Sequence, residues 1–334
     1  MGQLEAIGRE LLPAIAYGDA AGLPVETRNA AYIAAHYGRI NCLLPSKESP
    51  FYQGEFAPGT WSDDTQLSLV VAQSLMRVGA FELRDIANLH VKAYAQTPQV
   101  VRGGQAVKRG WGGSTTRSVE RYMQGMAAEH CGESGGMGNG VIMKLGPLAY
   151  WHIARGTAES SVYRDCDALT AFTHAHPTAR VATRVHYDVL HHLATEEYAQ
   201  ETFVRTAQES ALRHERLVGD TSRDVSSELR YLSGHFFFDT DTILRNTDGM
   251  GFIVPQTLAM AYGAFLAHEG EFASSIYEAV NLGGDTDSTA SIVAVMAIMK
   301  SRGKFKMPPD YRATLDHDML LRQSAALAHR ALKG

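Results

Sequence analysis

Cysteine is scarce in this 334-residue chain. There are three, Cys42, Cys131 and Cys166, odd in number and scattered. They form neither a disulfide framework nor a CxxC zinc pattern, which points to a reducing compartment. Basic runs are also missing. The net charge is -5 and Lys/Arg residues do not cluster, so no nucleic-acid surface or polybasic membrane contact is expected. The longest strongly apolar stretch, near residues 292–299, is too short to span a bilayer. At the N-terminus, Glu5, Arg9 and Glu10 occupy positions where a signal peptide needs an apolar core. Sustained strand alternation with hairpin turns, a strand–helix rhythm and an internal repeat of solenoid period are all absent. So is any proline/serine linker. The expectation is a soluble, cytoplasmic, monomeric protein with one domain over residues 1–334.

What is present is helical periodicity and a sizeable apolar fraction, 45% of residues. "TQLSLVVAQSLMRVG" places Leu67, Val70, Val71 and Leu75 on one face and stops at Gly79. "FELRDIANLHVKAYAQ" repeats the pattern with Leu83, Ile86, Leu89 and Tyr94. "VATRVHYDVLHHLA" and "PQTLAMAYGAFLAHE" continue it. The fold class is therefore all-α, a compact multi-helix globule around one core. Between helices lie glycine-rich stretches at 102–114, 131–141 and 246–252, where backbone can approach a ligand and offer N–H groups to an anion. Segment 38–60 reads as an irregular loop.

Two stretches carry chemistry. In "GTWSDDTQLSL", Ser62, Asp63 and Asp64 precede an amphipathic helix, and Asp63 with Gln66 fits a capping box. One cap does not need two adjacent carboxylates and a hydroxyl. In "NLGGDTDSTASIVAVMAIMK", Asp285, Asp287 and Ser288 stand at a second loop-to-helix junction. The small residues Ala290, Ser291, Ala294 and Ala297 then mark a central helix. Lone carboxylates there are costly, and helix N-termini favour keeping them ionised. Four carboxylates and two hydroxyls make an all-oxygen site suited to Mg²⁺ or Mn²⁺, and two ions is the natural count. The competing reading is two independent helix caps. Asp19 and Glu26 flank a small turn, as general base or as salt-bridge partners. His174 and His176 lack nearby Cys or Glu partners and suit substrate contact or packing better than zinc.

In order along the chain, these stretches resemble the signature of the ADP-ribosylglycohydrolase family: Gly18-Asp19-x-x-Gly22 with Glu26, Ser62-Asp63-Asp64-Thr65, Gly138-Asn139-Gly140 with Met143-Lys144, Thr173-His174, and Gly283-Gly284-Asp285-Thr286-Asp287-Ser288. The resemblance implies an all-α globule with a binuclear Mg²⁺ or Mn²⁺ cleft that hydrolyses the bond joining ADP-ribose to a modified target, an ADP-ribosylated protein or conjugate. It implies Ser62, Asp63, Asp64, Asp285, Asp287 and Ser288 as metal ligands. Gly138, Asn139, Gly140 and Gly104 would cradle ribose and diphosphate, His174 would contact the distal ribose, and Gly251 and Phe252 would flank the adenosine. Glu26 or a metal-bound aspartate, Asp64, would activate water.

Three positions depart from the family pattern. Ser62 and Ser288 stand for threonines, losing the methyl that stiffens χ1. Lys144 stands for arginine, losing a bidentate fork. Two alternatives to hydrolysis of protein-linked ADP-ribose stay open: a catalytically silent ADP-ribose-binding or structural relative, and a hydrolase of small conjugates such as O-acetyl-ADP-ribose or ADP-ribosylated guanosine.

Overall fold

Helices form wherever apolar residues recur at three- and four-residue spacing, and they end where that pattern meets glycine, proline or a capping side chain. The computed structural model describes residues 2–46, 55–102 and 105–333, and within them fifteen α-helices. In chain order these are α1 (Gln3–Gly22), α2 (Ala30–Tyr37), α3 (Asp63–Val78), α4 (Leu83–Gln96), α5 (Gly113–Met123), α6 (Gly146–Arg155), α7 (Glu159–Thr173) and α8 (Pro177–Thr195). They continue with α9 (Gln200–Val218), α10 (Asp224–Glu228), α11 (Thr240–Asn246), α12 (Val254–Ala267), α13 (Phe272–Leu282), α14 (Thr286–Ser301) and α15 (His317–Lys333). The all-α expectation is met. No helix among the described residues is long and apolar enough to cross a membrane.

One element departs from the sequence reading. A short hairpin, β1 (Gln99–Arg102) and β2 (Gln105–Lys108), pairs Gln99 with Lys108 and Arg102 with Gln105. Four-residue strands hold too few positions for alternation to be visible. Gly104, expected as a ligand-cradling glycine, lies outside the described residues.

The centre of the molecule is the crossing of α1 and α14. Every residue of α1 from Leu11 to Gly22 is buried, and so is every residue of α14 from Thr286 to Met299. Helices apolar or small on all sides belong inside a larger assembly of helices. The two pack this closely because α1 carries glycine where α14 presents backbone. A Cβ on Gly18 would overlap the Ala290 carbonyl, and one on Gly22 would overlap the Thr286–Asp287 peptide. The Thr286 hydroxyl then donates to the Gly22 carbonyl at 2.8 Å. α15 covers the other side of α1. Its Ser324 hydroxyl accepts from the Leu12 N–H (3.0 Å) and donates to the Gly8 carbonyl (2.7 Å). It thus bridges one helical turn just before Pro13, a place where an inserted side chain relieves a disturbed ladder.

Gly22→Ala is expected to lower stability by about 3 kcal/mol, because the overlap is with backbone that cannot swing away. Gly234→Ala, where a Cβ meets nothing within 4 Å, should stay within about 0.5 kcal/mol. Urea denaturation of the two variants checks the contrast.

Candidate metal centre

The crossing carries the first carboxylate to the second pair. Asp19 lies one turn before Gly22, fully buried, and its side chain reaches the start of α3. It accepts from the Ser62 N–H at 2.8 and 2.9 Å, from the Thr65 N–H at 3.0 Å and from the Thr65 hydroxyl at 2.6 Å. The expected capping arrangement is thereby corrected. Ser62, not Asp63, is the N-cap of α3. The carboxylate that satisfies the orphan amides comes from α1. Asp63 and Asp64 are freed from that task and lie in the first turn of α3.

On α14, Asp285 holds the N-cap position but makes no capping hydrogen bond. Its Oδ2 accepts from Asn139 Nδ2 at 2.7 Å. Asp287 Oδ1 accepts from the first-turn Ser288 N–H at 3.0 Å, so capping accounts for one oxygen but not for the rest. The remaining oxygens lie close to one another. The Ser62 hydroxyl lies 3.3 Å from Asp64 Oδ2 and 3.3 Å from Asp287 Oδ2, so one oxygen from each helix shares a single donor. The Ser288 and Ser291 hydroxyls donate to Asp64 at 3.3 and 3.0 Å.

Two groups of carboxylates offer oxygens within 4.8 Å of one another: Asp19, Asp64 and Asp287, and Glu26, Asp285 and Asp287. Asp287 belongs to both. With Asp63, six carboxylates surround this point. The buried cation nearby is Lys144, whose Nζ has no hydrogen-bond partner among the described residues. Burial lowers its pKa to about 7, while Asp63 and Asp64 pull it back up. Burial pushes Asp19 up to about 6. Asp63 and Asp64 are driven well above the carboxylate range, first by burial and then by Asp19. Asp287 is driven up by burial, then by Glu26, Asp285 and Asp64. So many carboxylates, oxygen donors alone and an Asp287 common to both groups fit hard divalent cations.

Backbone hydrogen bonds stitch the loops around the cluster. The Thr27 N–H donates to the Gly284 carbonyl and the Gly284 N–H to the Arg28 carbonyl, both at 2.7 Å. The Asp285 N–H donates to the Met250 carbonyl at 2.7 Å, and the Asn139 N–H to the Phe252 carbonyl at 3.2 Å. Gly284 has a positive φ of 77°, and a Cβ there would overlap the Met250 carbonyl. No other residue permits this splice between α13 and α14.

The cluster floors a cavity of about 430 Å³. Glu26, Asp63, Asp64, Asp285, Asp287 and Ser288 reach it from below. Gly138, Asn139, Gly140, His174 and Phe252 form one wall. The His174 ring faces Gly138 and Gly140, its Nδ1 lies 2.7 Å from the Thr173 hydroxyl, and burial lowers its pKa to about 3, so it is neutral. Phe252 is 37% exposed. Gly251 is buried behind the wall, its carbonyl accepting from Asn139 Nδ2 and the Thr257 hydroxyl. His176 caps α8. A further part of the lining is one the sequence reading missed: residues 112–117 at the start of α5, with Thr115 beside Gly140, and the β1–β2 hairpin. The glycines of "GWGGS" were its visible trace.

Comparison with known proteins shows the family and the fold. Residues 8–333 match the family model described as ADP-ribosylglycohydrolase. A protein of Archaeoglobus fulgidus, described only as uncharacterized, is 27% identical over 313 residues, covering 90% of this chain and 88% of that one. The ADP-ribosyl-[dinitrogen reductase] glycohydrolase of Rhodospirillum rubrum is 24% identical over 288 residues, covering 85% and 81%. A solved structure titled as an ADP-ribosylglycohydrolase-related protein complex shares the fold, with a TM-score of 0.73, 22% identity and coverage of 99% and 100%.

A carboxylate whose pKa is raised by folding opposes the fold once ionised. The metal-free protein should therefore lose stability as pH climbs from about 4, the unfolded range, through the raised folded values. Asp287→Asn removes one of the repelling charges. In chelator, its urea midpoint should exceed that of the wild type at pH 7, by a margin that shrinks at pH 4.5.

Proposed function

The chain belongs to the ADP-ribosylglycohydrolase family, and from that premise we propose a metal-dependent hydrolase that cleaves the glycosidic bond between ADP-ribose and a protein side chain, releasing ADP-ribose. The observation that carries this reading is the convergence of Asp63, Asp64, Asp285 and Asp287 on one cleft floor. The match over residues 8–333 supports taking the whole chain as one such domain.

Ser62, Asp63, Asp64, Asp285, Asp287 and Ser288 would hold two Mg²⁺ or Mn²⁺ ions, with Asp287 suited to be shared between them. Bound there, the ions would neutralise the cluster, polarise ribose hydroxyls and lower the pKa of a coordinated water. Lys144 is buried close enough to Asp63 and Asp64 for their charges to favour its protonation against the opposing effect of burial. Gly138, Asn139 and Gly140 would receive the ribose, and neutral His174 would hydrogen-bond a hydroxyl without adding charge. The first turn of α5 lines the cleft without a side-chain cap, so its amides and dipole suit the diphosphate. Phe252 offers an apolar surface for the adenosine.

Glycosidic cleavage develops positive charge at the anomeric carbon, and a base must take a proton from the attacking water. Asp64 is 1% exposed and accepts from three hydroxyls, which leaves its oxygens little room for a proton from water. Glu26 lines the cleft, is half-buried and lies beside Asp285 and Asp287. It is less enclosed than Asp64, so Glu26 is the proposed base.

Mn²⁺ or Mg²⁺ should raise the Tm of the wild type and be required for release of ADP-ribose from arginine- or serine-linked protein. Asp64→Asn should lose both the metal-dependent Tm shift and the activity. Glu26→Gln should keep the Tm shift while turnover falls by at least about a hundredfold. A Glu26→Gln enzyme of undiminished rate would move the base to Asp64, and no release from any linkage would sink the proposal.

A further inference from the structure

The two most exposed large apolar side chains among the described residues are neighbours in sequence. Phe236 is 82% exposed and Phe237 90%. Their backbone is held by its surroundings. Gln200 Nε2 on α9 donates to the Phe236 carbonyl at 3.1 Å, and His235 Nδ1 lies 2.8 Å from the Tyr231 carbonyl. Phe238 is buried, with its ring against Tyr231 and His235. An anchored segment thus holds two rings out in solvent. Beside them runs a groove of about 350 Å³ between α9 and the turn Leu229–Gly234. Val204, Leu212 and Leu232 give it an apolar lining, and Phe236 borders it. Leu212 is itself 43% exposed. No residue of this groove lines the acidic cleft.

An apolar patch of this kind is commonly a contact surface. The two rings alone would bury roughly 350 Å² per copy, nearly half of the roughly 800 Å² per partner in a specific interface. Charge on the rim indicates the occupant. Glu201, Arg205 and Glu209 stand at four-residue intervals on the outer face of α9, alternating in sign. None of them belongs to an ion pair among the described residues. An anionic bilayer suits this face poorly, because Glu201, Glu209, Asp239 and Asp241 are all exposed around the rings. A second α9 suits it well. Laid antiparallel about a two-fold axis at the level of Ala207, it sets Arg205 opposite Glu209 of the second copy, and Glu209 opposite its Arg205. The same register brings Glu201 level with Arg213, whose side chain is half-exposed. No like charges are set opposite one another.

We propose that this face is a homodimer interface. α9 packs antiparallel on α9 of a second copy, and Phe236 and Phe237 of each copy cover the apolar lining of the other's groove. A surface that carries both an open apolar groove and an exposed aromatic pair is complementary to itself, as a two-fold contact requires. The groove shares no residue with the acidic cleft, so dimerisation leaves both clefts accessible. The dimer takes the place of the monomer expected from the sequence alone.

The test is sedimentation equilibrium of the full chain from about 1 to 100 µM, a range in which interfaces of this size associate. The mean mass should climb from that of one chain toward that of two. Phe236→Ser with Phe237→Ser should weaken association at least about tenfold. Charge reversal identifies the partner. Arg205→Glu alone and Glu209→Arg alone should each stay monomeric over this range, because each sets like charges opposite one another twice. Mixed in equal amounts, the two single variants should form a mixed dimer, in which both contacts join opposite charges. The variant carrying both changes should recover the homodimer. Circular dichroism and a Tm close to the wild type report that each variant is folded. A wild type that keeps the mass of one chain at the highest concentration overturns the proposal, even if the patch then takes lipid vesicles or another protein. So does a dimer that the phenylalanine substitutions leave intact, or one that mixing fails to restore.

Discussion

Everything in this molecule hangs on the close crossing of α1 and α14. Two glycines one turn apart let backbone meet backbone, and the same contact brings Asp19 within reach of α3 and sets Asp287 against it. Core and site are therefore one construction. A wider crossing would open a gap in the core and at the same time pull the carboxylates apart. The site needs no dedicated scaffold because the most buried part of the fold is the scaffold.

That economy has an electrostatic cost. Six carboxylates crowd this floor, and burial makes the five aspartates among them harder to ionise than they would be in solvent. The surroundings offer partial relief: serine hydroxyls on Asp64, the Asn139 amide on Asp285 and backbone amides on Asp19. Hydrogen bonds of this kind orient the oxygens but leave the excess charge in place. Divalent cations would have the right sign and hardness for such a floor, and binding them only in the folded state would stabilise the fold.

Much of this was legible in the sequence, for identifiable reasons. The helices at 63–78 and 83–96 follow from apolar spacing, and the burial of α14 from its run of small and apolar residues. Asp63, Asp64, Asp285 and Asp287 stand out because paired acids before a buried helix have no cheap structural use. The role of Asp19 was not legible. Its partners, Ser62 and Thr65, are 43 and 46 residues away, and nothing local distinguishes an aspartate that caps another helix from one on the surface. Asp63 was given the cap for the same reason, since local pattern cannot show that a distant carboxylate has already taken it. The hairpin was hidden by its brevity, and its glycines by the more familiar meaning of glycine-rich loops.

The hydroxyl of Ser324, set into the ladder of α1, ties together residues 312 positions apart, and Thr286 reaches Gly22 across 264. Helix α1 thus receives much of its burial from α14 and α15, which lie far along the chain from it. Contacts of such long sequence separation are closed late and slowly. Until then the part of α1 that meets α14 and α15 stands uncovered and its turn before Pro13 lacks the Ser324 hydroxyl. The carboxylate floor assembles in that same final step, so the chain cannot gather its repelling charges before the packing strong enough to hold them is in place.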